Sequence, residues 1–476
     1  MSNQTDTIAA IATPAGRGGI GVVRISGPLV PSIACSLLGA GKLPHPRNAT
    51  VSKFIDKKGQ LLDQGIALYF PAPHSFTAED VLELQGHGGL VVMDLLLNAI
   101  LELGVRLARP GEFSERAFLN GKMDLVQAEA VADLIDSTSA QAARCALRSL
   151  QGQFSDQIHV LVKQLTRLRS YIEAGIDFVD EEIDLLADGQ VINQLDKLVD
   201  DLDAIVDKAE QGYLLKEGMR IVLVGEPNVG KSSLLNCLAG RETAIVTPIP
   251  GTTRDVVREQ ILLDGMPLHL IDTAGLRDTE DLVELEGIRR TQRAFNEADL
   301  VILMLDDRHF DDSADIIKPV GGIRNLVTEK IDRPSSDNAL QKVFIALDEN
   351  GQRIERLIIR NKIDMTEHRA GISADGVLYL SAKTGDGVED LKDYLKTKMG
   401  LRQNTEGTFM ARRRHLDALQ RARMAFTTAL KQAEHFHHEL LAEELRQAQR
   451  ALGEITGEFT ADDLLGQIFS TFCVGK

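Results

Sequence analysis

The sequence predicts a multidomain protein of the α/β plus α class, in which a doubly wound sheet is inserted between two helical stretches that follow a smaller α+β domain. Three patterns predict it. From Met219 to about Lys398 short apolar runs alternate with helical segments, the βαβ signature of a parallel sheet. On either side of that region apolar residues recur at spacings of three and four, which lays a stripe along one face of a helix. Ahead of both, residues 1 to about 120 mix short β-rich runs with Gly/Pro turns.

In the first domain, residues 1–120, Gly19 to Ile25, Ile66 to Phe70 and Val81 to Gln85 read as strands, and Leu90 to Leu103 as an amphipathic helix. Residues 121–217 turn helical, with Val191, Leu195, Leu198, Leu202, Ile205 and Ala209 on one face, and Gly212 and Gly218 are expected to break that helix. Residues 218–400 carry the α/β pattern. In residues 401–476 Leu416, Leu419, Ala422, Phe426, Leu430 and Ala433 form a second stripe. Each stripe needs an apolar partner, so the economical arrangement packs the two helical segments on each other around an inserted α/β domain.

The 476 residues are enough for about three domains of roughly 150 residues each. Hydrophobic residues at 43% and charged residues at 26% fit globular domains rather than a disordered chain. A formal charge of -17 argues against a protein that coats nucleic acid non-specifically, so any RNA contact must be local. The four cysteines form no CxxC pair, which suggests neither a zinc site nor a disulfide framework and fits a reducing, cytoplasmic compartment. The N-terminus has no basic residue before Arg17 and no apolar core, unlike a secretory signal. The most apolar stretch, Leu90 to Val105, carries Asp94, Asn98 and Glu102, so no membrane span is expected.

Chemistry enters at Arg220 to Val224, an apolar run that leads into GEPNVGKS, Gly225 to Ser232. A strand, then G-x-x-x-x-G-K-[ST], then a helical SLLNCLAG is the phosphate-loop context. The loop Asn228-Val229-Gly230 turns backbone N–H groups to phosphate, Lys231 adds a point charge at the β/γ oxygens, and Ser232, followed by Ser233, offers a hydroxyl to magnesium. A second strand, Leu268 to Ile271, ends in Asp272-Thr273-Ala274-Gly275, where a carboxylate can hold magnesium through water and a glycine amide can reach the γ-phosphate. Gly251-Thr252-Thr253-Arg254-Asp255 supplies hydroxyls in a loop able to close over that phosphate. Strand Leu357 to Ile359 leads to Asn361-Lys362-Ile363-Asp364, whose Asp364 can accept from the N1–H and 2-amino group of guanine, which adenine does not offer. Strand Val377 to Leu380 ends in Ser381-Ala382-Lys383, positioned to complete the base pocket. Together the four elements describe a guanine-nucleotide hydrolase.

Two features depart from the Ras-like pattern. Leu276 follows Gly275, and leucine cannot orient water as glutamine does, so the task falls to another group; Asp278, Glu280, Asp281, Glu284 and Glu286 are all available downstream. Asn228 offers an oxygen to a monovalent cation near the β/γ bridge, or serves the backbone geometry of the turn.

With these residues in hand, the chain resembles the MnmE/TrmE family of tRNA uridine-5-carboxymethylaminomethyl modification GTPases over nearly its whole length. The likeness is carried by ATPAGRGGIGVVRISG (Ala12 to Gly27), SFTAEDVLELQGHGG (Ser75 to Gly89), RPGEFSERAFLNGKMDLVQAEAV (Arg109 to Val131), GEPNVGKSSLLN, PGTTRD, DTAGLRD and the terminal FCVGK (Phe472 to Lys476). The resemblance implies an N-terminal α+β domain similar to tetrahydrofolate-binding enzymes that also dimerises, a discontinuous helical domain, and an inserted Ras-like P-loop GTPase domain. It implies folate contacts at Arg24, Glu83, Lys122 and Lys476, and a cysteine, Cys473, near the folate. It implies catalysis by Lys231 and a water-positioning Glu284, magnesium ligands Ser232 and Thr253, and a potassium loop at Asn228, Thr247, Ile249 and Thr252, with Pro248 and Pro250 lining the same nucleotide-binding segment. Activation through G-domain dimerisation, a homodimer, a FAD-containing partner protein in a heterotetramer, and tRNA as substrate follow from the same likeness.

Two alternatives stay open on sequence alone. One is a ribosome-assembly GTPase that docks RNA without group transfer, for which Arg412-Arg413-Arg414 is the clearest basic cluster. The other makes the N-terminal domain a folate-dependent transferase with the GTPase as its clock. The stretch between Asp306 and Leu357 is longer than the resemblance suggests and reads as a surface insertion.

Overall fold

A computed structural model describes residues 6–39, 41–177, 190–225, 227–239, 258–263, 266–272, 298–309, 326–328, 344–347, 353–354, 356–398, 407–435, 437–459, 462–473 and 475. The chain divides into two compact units, one of Met1–Asp136, Ala146–Val206 and Arg413–Lys476, the other of Ser137–Cys145 and Asp207–Arg412.

The first unit begins with β1 (Ile8–Ile11), β2 (Gly18–Ser26), β3 (Thr50–Ile55), β4 (Leu61–Phe70), β5 (Val81–Gly88) and β6 (Arg106–Leu107), arranged β3-β4-β5-β2-β1-β6. Pairings are antiparallel apart from β1 with β6. Side chains alternate across a strand. Val23 and Ile25 of β2 therefore join Leu82 and Leu84 on the face covered by α1 (Val30–Leu37) and α2 (Leu90–Leu101), through Ile33, Leu37, Met93 and Leu96. Ile8 and Ala10 of β1 face the other way, onto Phe113 of α3 (Glu112–Leu119). Arg24 lies between Val23 and Ile25, so it belongs to the Phe113 face.

Helices follow: α4 (Leu125–Ile135), α5 (Ala140–Leu150), α6 (Gln153–Asp177) and α7 (Gln190–Glu217). A capping box starts α4, with Gln127 N–H donating to Asp124 at 2.9 Å and Asp124 N–H to the Gln127 side chain at 3.0 Å. All six stripe residues of α7, from Val191 to Ala209, are buried. Gly212 does not break this helix, which continues to Glu217. The glycine is there because a Cβ would overlap the Phe409 carbonyl oxygen. Gly218, at φ +72, is the residue that ends it, its N–H bonded to Leu214 O at 2.9 Å.

The C-terminal helices α10 (Arg413–Glu434), α11 (His438–Thr456) and α12 (Asp462–Ser470) return to the first unit. The buried line of α10 runs through His415, Leu419, Ala422, Phe426, Ala429 and Ala433; Leu416 and Leu430, expected in it, are only half-buried. Alanines at 418, 422, 425 and 429 leave room for α11 to approach closely, which turns the seam towards the small residues.

Glu129 of α4, 1% exposed, closes the helical scaffold. Its carboxylate accepts from Arg414 Nε at 2.7 Å and a terminal Arg414 nitrogen at 2.8 Å, and His415 Nε2 lies 3.0 Å away. Arg414 also donates to the carbonyls of Glu454 and Ile455 at the end of α11. Burial alone pushes the Glu129 carboxyl up, but the charges of His415 and Arg414 and their hydrogen bonds reverse this and hold it far below the carboxylate range. Of the basic cluster, Arg414 is thus committed to Glu129, while Arg413 stays exposed and pairs with Asp417 at 3.3 Å.

The second unit is built on a seven-stranded sheet, β15-β16-β14-β10-β7-β9-β8. Its strands are β7 (Met219–Val224), β8 (Arg258–Leu263), β9 (Met266–Asp272), β10 (Leu300–Asp306), β14 (Arg356–Asn361), β15 (Gly371–Ile372) and β16 (Val377–Leu380). The inner five are parallel and the edge strands β8 and β15 antiparallel. Helices α8 (Lys231–Ala239) and α9 (Val388–Lys398) accompany it. The long stretch after Asp306 contains a separate antiparallel sheet of β11 (Leu326–Thr328), β12 (Phe344–Leu347) and β13 (Arg353–Ile354). It is more than a plain loop insertion. Among the described residues no helix is long and apolar enough to cross a membrane.

Replacing Glu129 by Gln leaves the Arg414 charge buried without its counter-ion, and is expected to cost about 3–5 kcal/mol in urea unfolding of the helical unit. Because the folded pKa is depressed, the wild-type advantage is present above the ordinary carboxylate value of 4.5 and shrinks as the pH falls below it. An unchanged midpoint at neutral pH contradicts this role.

Candidate nucleotide-binding site

Parallel strands end at a common edge, and in such sheets ligands bind beyond the carboxyl ends. Here β7 runs into Gly225, β9 ends at Asp272, β10 at Asp306, β14 at Asn361 and β16 just before Ser381. The sheet thus brings the phosphate and base motifs to one rim. Asp272 is paired with Leu223 of β7, one strand over from the start of the phosphate loop.

The phosphate loop turns through two left-handed residues, Asn228 at φ +66 and Gly230 at φ +102. Asn tolerates that region better than most side chains, so the loop's geometry accounts for Asn228 without an ion, and its side chain is exposed. Gly230 has a further reason: a Cβ there would overlap the Asn361 amide. Val229 is buried and anchors the turn. Lys231, 6% exposed, is the first residue of α8 and donates from Nζ to Gly225 O at 2.8 Å, folding its ammonium back over the loop. Ser232 and Ser233 are exposed on the first turn, where helix N–H groups and dipole favour an anion. A hydroxyl at this end of the helix fits one oxygen ligand of magnesium.

Asn361, 2% exposed, joins the three loops. Its amide nitrogen donates to Val229 O at 2.7 Å and its oxygen accepts from Ala382 N–H at 2.9 Å. Lys362, left-handed at φ +73, sends Nζ to Asp306 at 2.7 Å. Hydrogen bonds from Arg308, opposed by burial and aided by Lys362, hold the Asp306 carboxyl well below its usual value. Asp364 sits in a single 3-10 turn, Ile363–Met365, exposed to solvent, with one oxygen accepting from Ser381 Oγ at 2.7 Å. Lys383, two residues after Ser381, is exposed. An exposed carboxylate oriented by a hydroxyl, on a loop cross-braced to a phosphate cradle, can read the edge of a purine held by its phosphates. Sequence reading passed over Asp306 and its neighbour Asp307; paired acids at a strand's carboxyl end were the available signal.

Thr247 to Thr253, Thr273, Ala274, Gly275, Glu284 and Lys476 lie outside the described residues. In the first unit Arg24 and Glu83 face each other across β2 and β5, with Arg24 Nε to Glu83 at 2.9 Å. The Arg24 guanidinium stands over the rings of Phe76 and Phe113. Phe469 and Phe472 pack with Leu125 and Ala128 of α4, and Gly111 N–H donates to Cys473 O at 3.4 Å. That anchoring carries the tail to β2, where Gly475 O accepts from Arg24 at 3.4 Å. Cys473 is exposed. Lys122 is exposed after α3, and no hydrogen bond or ion pair joins its side chain to Arg24 or Glu83.

A phosphate loop at the edge of a parallel sheet, braced to an Asn-Lys-x-Asp loop, defines a P-loop GTPase. A family model described as "MnmE helical domain" matches residues 125–473, and one described as "GTP-binding protein TrmE N-terminus" matches residues 7–122. The tRNA modification GTPase MnmE of Pectobacterium carotovorum subsp. carotovorum (strain PC1) is 55% identical over 481 residues, covering 100% of each chain. That of Haemophilus influenzae (strain 86-028NP) is 55% identical over 476 residues, 99% of this chain and 100% of the relative, and that of Marinobacter nauticus 52% over 482 residues, 100% of each. The chain belongs to the MnmE family.

Asp364→Asn is expected to move nucleotide preference from guanosine towards xanthosine diphosphate, read as the ratio of their Kd values by calorimetry. Unchanged selectivity removes Asp364 from base recognition.

Proposed function

We propose that this chain is a potassium-stimulated GTPase that, with a FAD-containing partner protein, modifies the wobble uridine of tRNA at C5. The group added is carboxymethylaminomethyl, built with a one-carbon unit of formyl or methylene tetrahydrofolate. The observation that carries the nucleotide half is Asn361, whose side chain ties Val229 of the phosphate loop to Ala382 beside the base loop. The observation that supports the folate half is Arg24, which meets Glu83, two aromatic rings and the carbonyl of Gly475 in the FCVGK tail.

In this reading Asn228, Val229, Gly230, Lys231, Ser232 and Ser233 hold the phosphates, and Thr273, Ala274 and Gly275 follow the Asp272 carboxylate to the γ-phosphate. Thr247, Pro248, Ile249, Pro250, Gly251, Thr252 and Thr253 close over it. Ser232 and Thr253 ligate magnesium, which offsets charge developing on the phosphate oxygens. Asn228, Thr247, Ile249 and Thr252 hold potassium, whose charge stands where other GTPases insert an arginine. Glu284 orients the attacking water. Asn361, Lys362, Asp364, Ser381, Ala382 and Lys383 enclose guanine. Arg24, Glu83, Lys122 and Lys476 bind folate, with Cys473 beside them. A homodimer brings two G domains together for hydrolysis, and the dimer joins the FAD-containing partner as a heterotetramer in the cytoplasm. The commitment of Arg414 to Glu129 takes one of three arginines out of the basic cluster on which the ribosome-assembly alternative rests.

Glu284→Ala should leave GTP affinity near wild type while slowing hydrolysis by roughly 10²-fold, measured by single-turnover phosphate release. The same assay run in sodium should suppress wild-type turnover. Equal rates for variant and wild type transfer the water-positioning role to another acid.

A further inference from the structure

The turn that carries Asp364 is gripped from behind by a carboxylate the nucleotide motifs do not include. Asp307 follows β10, and its side chain is fully buried. Three groups converge on it. Arg360, the last residue before Asn361, lies with Nε 2.8 Å from Asp307 Oδ1. Thr366, the residue that ends the 3-10 turn of Asp364, donates from Oγ1 to Asp307 Oδ2 at 2.5 Å. His368 Nδ1 lies 2.8 Å from the same oxygen. Tyr379 of β16 completes the frame: its hydroxyl accepts from Arg360 at 3.1 Å, the Arg360 guanidinium stands 5.2 Å from its ring centre, and the His368 ring lies 5.1 Å from it.

Asp307 thus holds the chain on both sides of Asn361 to Asp364, through Arg360 before it and Thr366 after it. Such a staple matters because Asp364 itself is exposed, and among the described residues its carboxylate is held by a single hydrogen bond, from Ser381 Oγ. A short turn with one hydroxyl contact would swing, and two hydrogen bonds to a purine edge demand a fixed carboxylate plane. Asp306 performs a different task next door, engaging Lys362 and Arg308.

We infer that Asp307 is a positioning residue for base selectivity, acting through Thr366, Arg360 and His368 to fix the plane in which Asp364 meets the guanine edge. This rests on Asp364 as the base reader. The discriminating ligand pair is GDP and IDP, which differ only in the 2-amino group that one Asp364 oxygen would accept.

Asp307→Asn strips the counter-charge from buried Arg360 and risks unfolding, so Thr366→Val is the sharper variant: it removes the hydroxyl and keeps the shape. With the full chain, calorimetry is expected to show GDP over IDP discrimination reduced by about five- to tenfold, the size of one ordinary net hydrogen bond. The KM for GTP should rise with kcat within about twofold of wild type, and Thr366→Ser, which restores the hydroxyl, should restore the discrimination. Asp364→Asn serves as the reference. If it changes base preference while Thr366→Val leaves GDP and IDP discrimination at the wild-type value, the staple is refuted and the base reader stands. If Asp364→Asn also changes nothing, the base-reading assignment falls and takes the staple with it.

Discussion

One buried amide organises the nucleotide site. Asn361 sits at the end of β14, spends its nitrogen on the phosphate loop and its oxygen on the loop after β16, and so makes three separate strand ends behave as one rim. A buried amide left with a missing partner costs on the order of 1–3 kcal/mol, so displacing one of the three loops penalises the other two. Gly230 follows from it, since only a residue without Cβ leaves room for the Asn361 side chain. The left-handed turn at Asn228, the start of α8 at Lys231 and the 3-10 turn of Asp364 are all arranged around that joint. The phosphate loop, the Asn-Lys-x-Asp loop and the loop after β16 are thereby mechanically linked.

A second buried contact performs the corresponding task for the scaffold. The helical segments before and after the α/β region contribute to one unit, and Glu129 with Arg414 and His415 ties them by charge in its interior, as Asp203 with Arg423 does at its surface. Arg414 also satisfies two carbonyls at the end of α11, which lack helical partners there. In the same unit, the aromatic pair Phe469 and Phe472 packs on Leu125 and Ala128 and seats the C-terminal tail so that Gly475 reaches Arg24. Residues at the two extremes of the sequence meet at one sheet face.

The periodic features were legible in the sequence because periodicity is a local property. The buried line of α7, the βαβ alternation and the phosphate loop each follow from spacing within a short window. Tertiary partners were not legible. Gly212 reads as a helix breaker until Phe409 is found against it, and Arg414 reads as a solvated charge until Glu129 is found beneath it. Leu416 and Leu430 were placed in the seam by hydrophobicity, whereas close packing on α11 favours the alanines. The acid pair Asp306-Asp307 at a strand end was legible, but the role of Asp307 was not: its partners lie 53 to 61 positions away and come to it only when β10 and β14 are paired. The strands inside the long stretch after Asp306 carry too few residues each to stand out from a loop.

We propose that the GTP-binding rim serves chemistry on the wobble uridine of tRNA. Mass spectrometry of nucleosides from the tRNA of a strain lacking the chain tests it most directly. The carboxymethylaminomethyl modification at C5 is expected to disappear and to return when the wild-type chain is restored. A full complement of the modified uridine in the deletion strain would contradict it.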